Sequence, residues 1–155
     1  MKLSYLIILV SALNFVSLDL NAHMDLENFL TLEDAKQIAN AAHAHAQQEN
    51  WNVAIVIIDA GGHLIYFLKM DETMLASNEI AIQKAKTALF YKRPSKVFQD
   101  RIADGGSAIL SLPDMLAFEG GIPIERDGNI IGAIGVSGVT PQQDGIIAAA
   151  GLEGF

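Results

Sequence analysis

Cysteine is missing from all 155 residues, so neither a disulfide framework nor a thiolate metal site can form, and redox compartment is left open. Basic residues are scarce: ten Lys and Arg stand against 18 Asp and Glu, for a formal net charge of -8. Those ten are spread along the chain rather than gathered, which argues against nucleic acid as a partner. No internal repeat, linker or low-complexity stretch divides the chain, and its length suits one domain around one core. The longest apolar run, Leu3 to Val16, is interrupted by Ser4, Ser11 and Asn14 and is too short for a membrane span. With Lys2 before it and Asn21-Ala22-His23 after it, the run has the tripartite pattern of a secretory signal. The expectation is a signal peptide over residues 1–22 and a mature domain over residues 23–155, periplasmic or secreted, with no stable span after processing. A start at Met24 would instead give a cytoplasmic protein. Loss of residues 1–22 removes Lys2 and Asp19 together, so the acidity belongs to the domain.

What is present reads as alternating helices and strands. Thr31 suits the N-cap of a helix whose Leu32, Ala35, Ile38, Ala39, Ala42 and Ala46 recur at three-and-four spacing, with Glu33 and Asp34 in the first turn. Asn50 and Trp51 end it. Val53 to Ile58 is an unbroken apolar run, as for a strand covered on both faces, and the Asp59-Ala-Gly-Gly62 turn leads into a second strand, His63 to Lys69. A small-residue helix from Leu75 to about Lys92 carries Ala81, Ala85, Ala88 and Leu89 on one stripe, allowing close approach to a sheet or a partner subunit. After Pro94, Ser95 is the expected cap of a short helix, and Met115 to Phe118 is expected as a brief strand. Asp127-Gly128 between apolar runs marks a hairpin. Thr140, Pro141 and Gln143 stand at N-cap, first helical and capping-box positions of a last helix reaching Gly151. The order predicts an α+β domain, a mostly antiparallel sheet packed with helices.

Three strings, VAIVIIDAGGHLIYFLKMD, IAIQKAKTALFYKRPSKVF and EGGIPIERDGNIIGAIGVSGVTPQQDGIIAAAG, cover most of residues 53–151. In order and spacing they resemble the GlcG/HbpS-like family, which is also related to the PduO C-terminal domain. The resemblance implies a profilin-like sandwich with a five-stranded, mostly antiparallel sheet flanked by about four helices. It further implies a homo-oligomer and haem, or another tetrapyrrole, as ligand. Lys69 stands where an arginine is common in the family, and Glu72-Thr73 replaces a Gly-Ala pair.

Haem iron takes an axial donor, most often imidazole. His23 borders the expected cleavage point, and His63 opens a strand, where solvent contact accounts for it. His43 and His45 fall on opposite shoulders of their helix's apolar stripe, since residues turn by about 100° each. They cannot ligate one iron from the same side; either is a candidate ligand, and either is also at home as a polar edge residue. A second constellation is glycine-rich. Gly120-Gly121, Ser137-Gly138 and the amino end of the last helix would bring backbone N–H groups together, a cradle for haem propionates or a small carboxylic acid, although tight turns alone would also call for these glycines. Lys84, Lys86 and Arg93 are candidate counter-charges, and Lys84, Glu119 and Asp144 candidate proton-transfer groups. No Ser-His-Asp set, zinc-spaced cluster or nucleotide fingerprint is present. The leading expectation is a haem-binding protein assisting oxidative haem degradation. The alternatives are an isomerase or lyase acting on a carboxylated metabolite, and a sensor of one.

Overall fold

The computed structural model describes residues 29–155; the expected leader and His23 lie outside the described residues. Helix α1 (Leu32–Gln48) starts at Thr31, whose hydroxyl accepts the Asp34 amide while the Asp34 carboxylate takes the Thr31 amide. This reciprocal box satisfies two donors that a helix start otherwise leaves orphaned. Strands β1 (Ala54–Asp59), β2 (Leu64–Lys69), β3 (Gly121–Arg126) and β4 (Asn129–Ser137) form one antiparallel sheet in the order β2-β1-β4-β3. β1 is central, and this is why its run of Ile and Val is apolar throughout. Ile55 and Ile57 face the core shared with α1 and α4 (Pro141–Leu152), while Ala54, Val56 and Ile58 face α2 (Ser77–Tyr91). A short α3 (Lys96–Ala103) and a 3-10 turn (Ser107–Ser111) complete the described chain. No described helix is long and apolar enough to cross a membrane.

The α+β class and four helices match the expectation; the strand count does not. The sheet has four strands rather than five, because Met115 to Phe118 forms no ladder. Its backbone is satisfied by side chains: the Leu116 N–H donates to Thr87 Oγ1 at 2.8 Å, and the Phe118 carbonyl accepts from Ser95 Oγ at 2.6 Å. Ser95 is drawn away from its expected role by the same bonds and makes no side-chain cap for α3. Its hydroxyl also accepts the Gly121 N–H at 2.9 Å, fastening the start of β3 to the loop after α2. At the other hairpin, Asp127 and Gly128 both adopt the positive φ that the tight turn requires.

Asp34 also pairs with Arg126 at 3.2 Å. Burial raises its pKa, but the Thr31 hydroxyl and amide together with Arg126 outweigh that, and the carboxyl titrates below its ordinary 3.8. A depressed carboxylate stabilises the fold fully above that ordinary value, and the contribution is lost as pH falls through the lower folded-state value. Asp34→Asn is therefore expected to cost about 0.5–1 kcal/mol near neutrality, a modest figure because solvent reaches the pair. In urea titrations the gap from the parent should narrow as pH falls below the ordinary carboxylate range. A gap independent of pH would remove the carboxylate from the account.

Candidate functional site

Among the described residues the one ion pair buried on both sides lies where α2, β4 and α4 meet. Lys84 projects from α2 beneath the sheet, only 2% exposed, and its Nζ stands 2.6 Å from Asp144 Oδ2 and 3.1 Å from the Val136 carbonyl. Asp144, in the first turn of α4, turns its other oxygen back to the Val139 N–H at 3.2 Å and also accepts from the Gly138 N–H. Burial drives the Lys84 pKa down and the Asp144 pKa up, each toward its neutral form. Their mutual attraction, with the amides at Asp144 and the charge of Glu119 at Lys84, works against that drift.

The glycines explain how the pair fits. A Cβ on Gly120, whose φ is +126°, would lie 2.9 Å from Lys84 Nζ and 2.6 Å from the Val136 oxygen. A side chain on Gly121 would overlap the Lys84 carbonyl, and one on Gly138 the Asn52 carbonyl. Glu119 lies over Gly145, on whose added Cβ its Oε1 would sit at 2.5 Å, and its carboxylate is 3.6 Å from Lys96 Nζ. Gly120, Gly121, Gly138, Lys84, Glu119 and Asp144 are thus brought together, with Ser137 buried beside them at the end of β4. Several of the amides around this segment are already engaged within the protein. Those of Gly138 and Val139 meet Asp144, that of Gly121 meets Ser95, and that of Glu119 meets Gln99 Oε1 at 2.9 Å.

The remaining candidates stand apart from this cluster. Lys86 is half-buried on another side of α2, and Arg93 is exposed beyond its end, with Nε donating to the Tyr91 carbonyl. His63 is exposed beside Asp59 at 3.4 Å. His45 sets its ring edge-on to Trp51, with centroids 6.3 Å apart. His43 instead borders an open hollow of about 420 Å3 between α1 and the end of β2, lined also by Gln47, Asn52, Lys69, Met70 and Asp71. Met70, a thioether on that hollow beside the His43 imidazole, was not singled out by sequence reasoning, and neither were Ser95 and Gln99 as anchors of the glycine segment. A lone Met or Ser carries no signal until its neighbours are known. No group of three or more His, Asp or Glu positioned to hold a metal ion occurs among the described residues.

Comparison with known proteins bears directly on this arrangement. The family model described as "Haem degrading protein HbpS-like" matches residues 30–153. The chain is 37% identical over 108 residues to Protein GlcG of Escherichia coli K12, covering 70% of this chain and 81% of that one. Its fold is similar to the solved PduOC:heme complex, with a TM-score of 0.74 and 31% identity over 82% of this chain and 95% of the other. The HbpS crystal structure is similar too, with a TM-score of 0.73 and 30% identity over 81% and 89% of the two chains. A match running from the residue before the α1 cap to the residue after α4 spans every described helix and strand, and on that footing the chain belongs to the HbpS-like family.

Proposed function

We propose that this protein binds haem at the hollow beside His43, with the His43 imidazole as axial donor to the iron. The observation that carries the reading is that His43 and Met70, an imidazole and a thioether, line one hollow in a chain of this family. Both are donor types that haem iron accepts. Of the charged residues lining the same hollow, Lys69 suits a propionate, whereas Asp71 and Glu72 do not. The solved haem complex of PduOC, 31% identical to this chain, supports the same ligand. Bound haem would supply the redox chemistry of its iron; the family description, haem degrading, supports extending the proposal to breakdown of the ring, which in this reading is oxidative, with peroxide as oxidant and iron released. The chain's own part would be to hold the macrocycle and to offer the His43 imidazole to its iron.

The working form in this reading is a periplasmic or secreted homo-oligomer. α2 packs chiefly on β4, β3 and β1, and Leu64 and Phe67 of β2 stay exposed on the face it leaves open. The alternative of proton transfer on a carboxylated metabolite loses ground because Lys84 and Asp144 are sealed against each other, each only 2% exposed.

Haemin titrated into the purified protein is expected to give a shifted Soret band that saturates near one haem per subunit. His43→Ala should weaken binding by roughly tenfold or more, while His45→Ala, whose ring packs on Trp51, should leave the spectrum unchanged. A Soret band like that of free haemin, or a His43→Ala protein indistinguishable from the parent, would overturn the assignment.

A further inference from the structure

A separate hollow, of about 480 Å3, opens between the end of α2, α3 and the 3-10 turn. Its walls are aliphatic and aromatic, with Val97, Phe98, Ile109 and Leu112 prominent, and Val97 and Leu112 are left partly exposed to water. The walls are braced. The Tyr91 hydroxyl donates to the Pro113 carbonyl at 2.5 Å, and the Tyr91 ring meets Phe98 edge-on with centroids 5.1 Å apart. These contacts tie α2, α3 and the chain after the 3-10 turn together, so little ordering remains to be done when a ligand enters.

Charge gives this hollow its direction. Arg93 and Arg101 both line it. The protein has 18 acidic residues, yet among those described neither guanidinium meets a carboxylate within ion-pair distance. Arg93 uses only its Nε, on the Tyr91 carbonyl, which leaves its terminal N–H groups available. Arg101 sits in the last turn of α3, where the helix dipole favours a cation, but that does not explain why it shares an apolar hollow with a second arginine. Two like charges on one apolar hollow raise the energy of the empty site and lower it once an anion sits between them. Guanidinium groups are also matched to carboxylate oxygens in geometry.

We propose that this hollow is a second ligand site, distinct from the His43 hollow, and that it takes a medium-chain alkyl carboxylate, with the tail on Val97, Phe98, Ile109 and Leu112 and the head between Arg93 and Arg101. The site uses no metal and no covalent step. Its recognition has two separable parts, apolar burial of the tail and charge-assisted hydrogen bonding of the head.

Calorimetric titration with octanoate, decanoate and decanol, all below their aggregation limits, tests both parts. Decanoate is expected to saturate near one per subunit and to bind more tightly than octanoate by up to about fourfold per added methylene that becomes buried. Decanol, with the same tail and no charge, should bind roughly tenfold or more weakly. Arg101→Gln removes a side chain with no hydrogen bond or ion pair, so it should fold as the parent does and lose roughly tenfold in decanoate affinity; Leu112→Ser should weaken decanoate while keeping its preference over decanol. Equal binding of acid and alcohol, an unchanged Arg101→Gln protein, or no saturable binding of decanoate would each overturn the proposal. Haemin affinity measured with and without decanoate keeps the two sites apart: it should be unaffected, and displacement of haem would refute a separate site.

Discussion

Lys84→Met is expected to destabilise the fold by about 3–5 kcal/mol, because it leaves the Asp144 carboxylate buried beside α4 without its cation. The loss is not the strength of the ion pair but the cost of a charge stranded where water does not reach. Two further results follow from that cause. Adding Asp144→Asn should restore most of the stability, since an amide oxygen still accepts the Gly138 and Val139 N–H groups and no net charge remains buried. The single variant should also respond to acid in an unusual direction. Burial already holds the Asp144 pKa above its ordinary 3.8, and removing Lys84 removes an interaction that lowered it. A carboxyl with a raised folded-state pKa gains stability as pH falls through that value toward the unfolded one, so the deficit of Lys84→Met should shrink on acidification. Denaturant unfolding of parent, single and double variants across pH measures all three effects. A deficit that the Asp144→Asn change leaves unrepaired would mean that Lys84 matters through its packing.

Much of this architecture is written locally, and what is not written locally is what sequence reasoning missed. The start of α4 is legible because Thr140, Pro141 and Gln143 act within one turn, and the β3–β4 hairpin is legible because Asp127-Gly128 carries its own backbone preference. The absent fifth strand is the opposite case. Met115 to Phe118 has a plausible apolar pattern, but pattern does not reveal that its backbone partners are Thr87 and Ser95 side chains from distant positions. The site divides in the same way. Lys84 and Asp144 were both recognised as chemically notable, yet a separation of 60 residues hides the fact that each is the other's partner. His43 and His45 are equivalent on a helical wheel; only Trp51 beside one and an open hollow beside the other distinguish them. Arg101 is not legible as a binding residue, because an arginine in a short helix's last turn already has a local explanation.

Gly135→Ala is expected to be as damaging as loss of Lys84, by a different cause. Gly135 lies mid-β4, paired with Val56 on one side and Gly121 on the other, directly under the alanine stripe of α2. An added methyl would overlap the Ala81 carbonyl oxygen and stand 2.8 Å from the Ala85 nitrogen. Both are helix backbone atoms, so no rotamer change relieves the clash, and shortening Ala81 or Ala85 to glycine would not relieve it either. α2 must lift from the sheet. That disturbs the layer formed by Ala81, Ala85 and Ala88 over Val56 and Ala133, and it pulls Lys84, on the same helix, away from Asp144. Overpacking of a well-filled core typically costs about 1–3 kcal/mol, and a clash with backbone on both sides of one turn places this variant at or above the upper end. The small-residue pattern of α2 thus has a concrete purpose: it lets helix and strand approach until only glycine fits between them, and the depth of that approach is what seats the Lys84 ammonium against Asp144. Thermal and denaturant unfolding should show a loss of at least about 3 kcal/mol for Gly135→Ala, and combining it with Lys84→Met should fall well short of the sum of the two, because one displacement already causes part of the other. Full additivity would separate the helix approach from the ion pair and end the claim that the first positions the second.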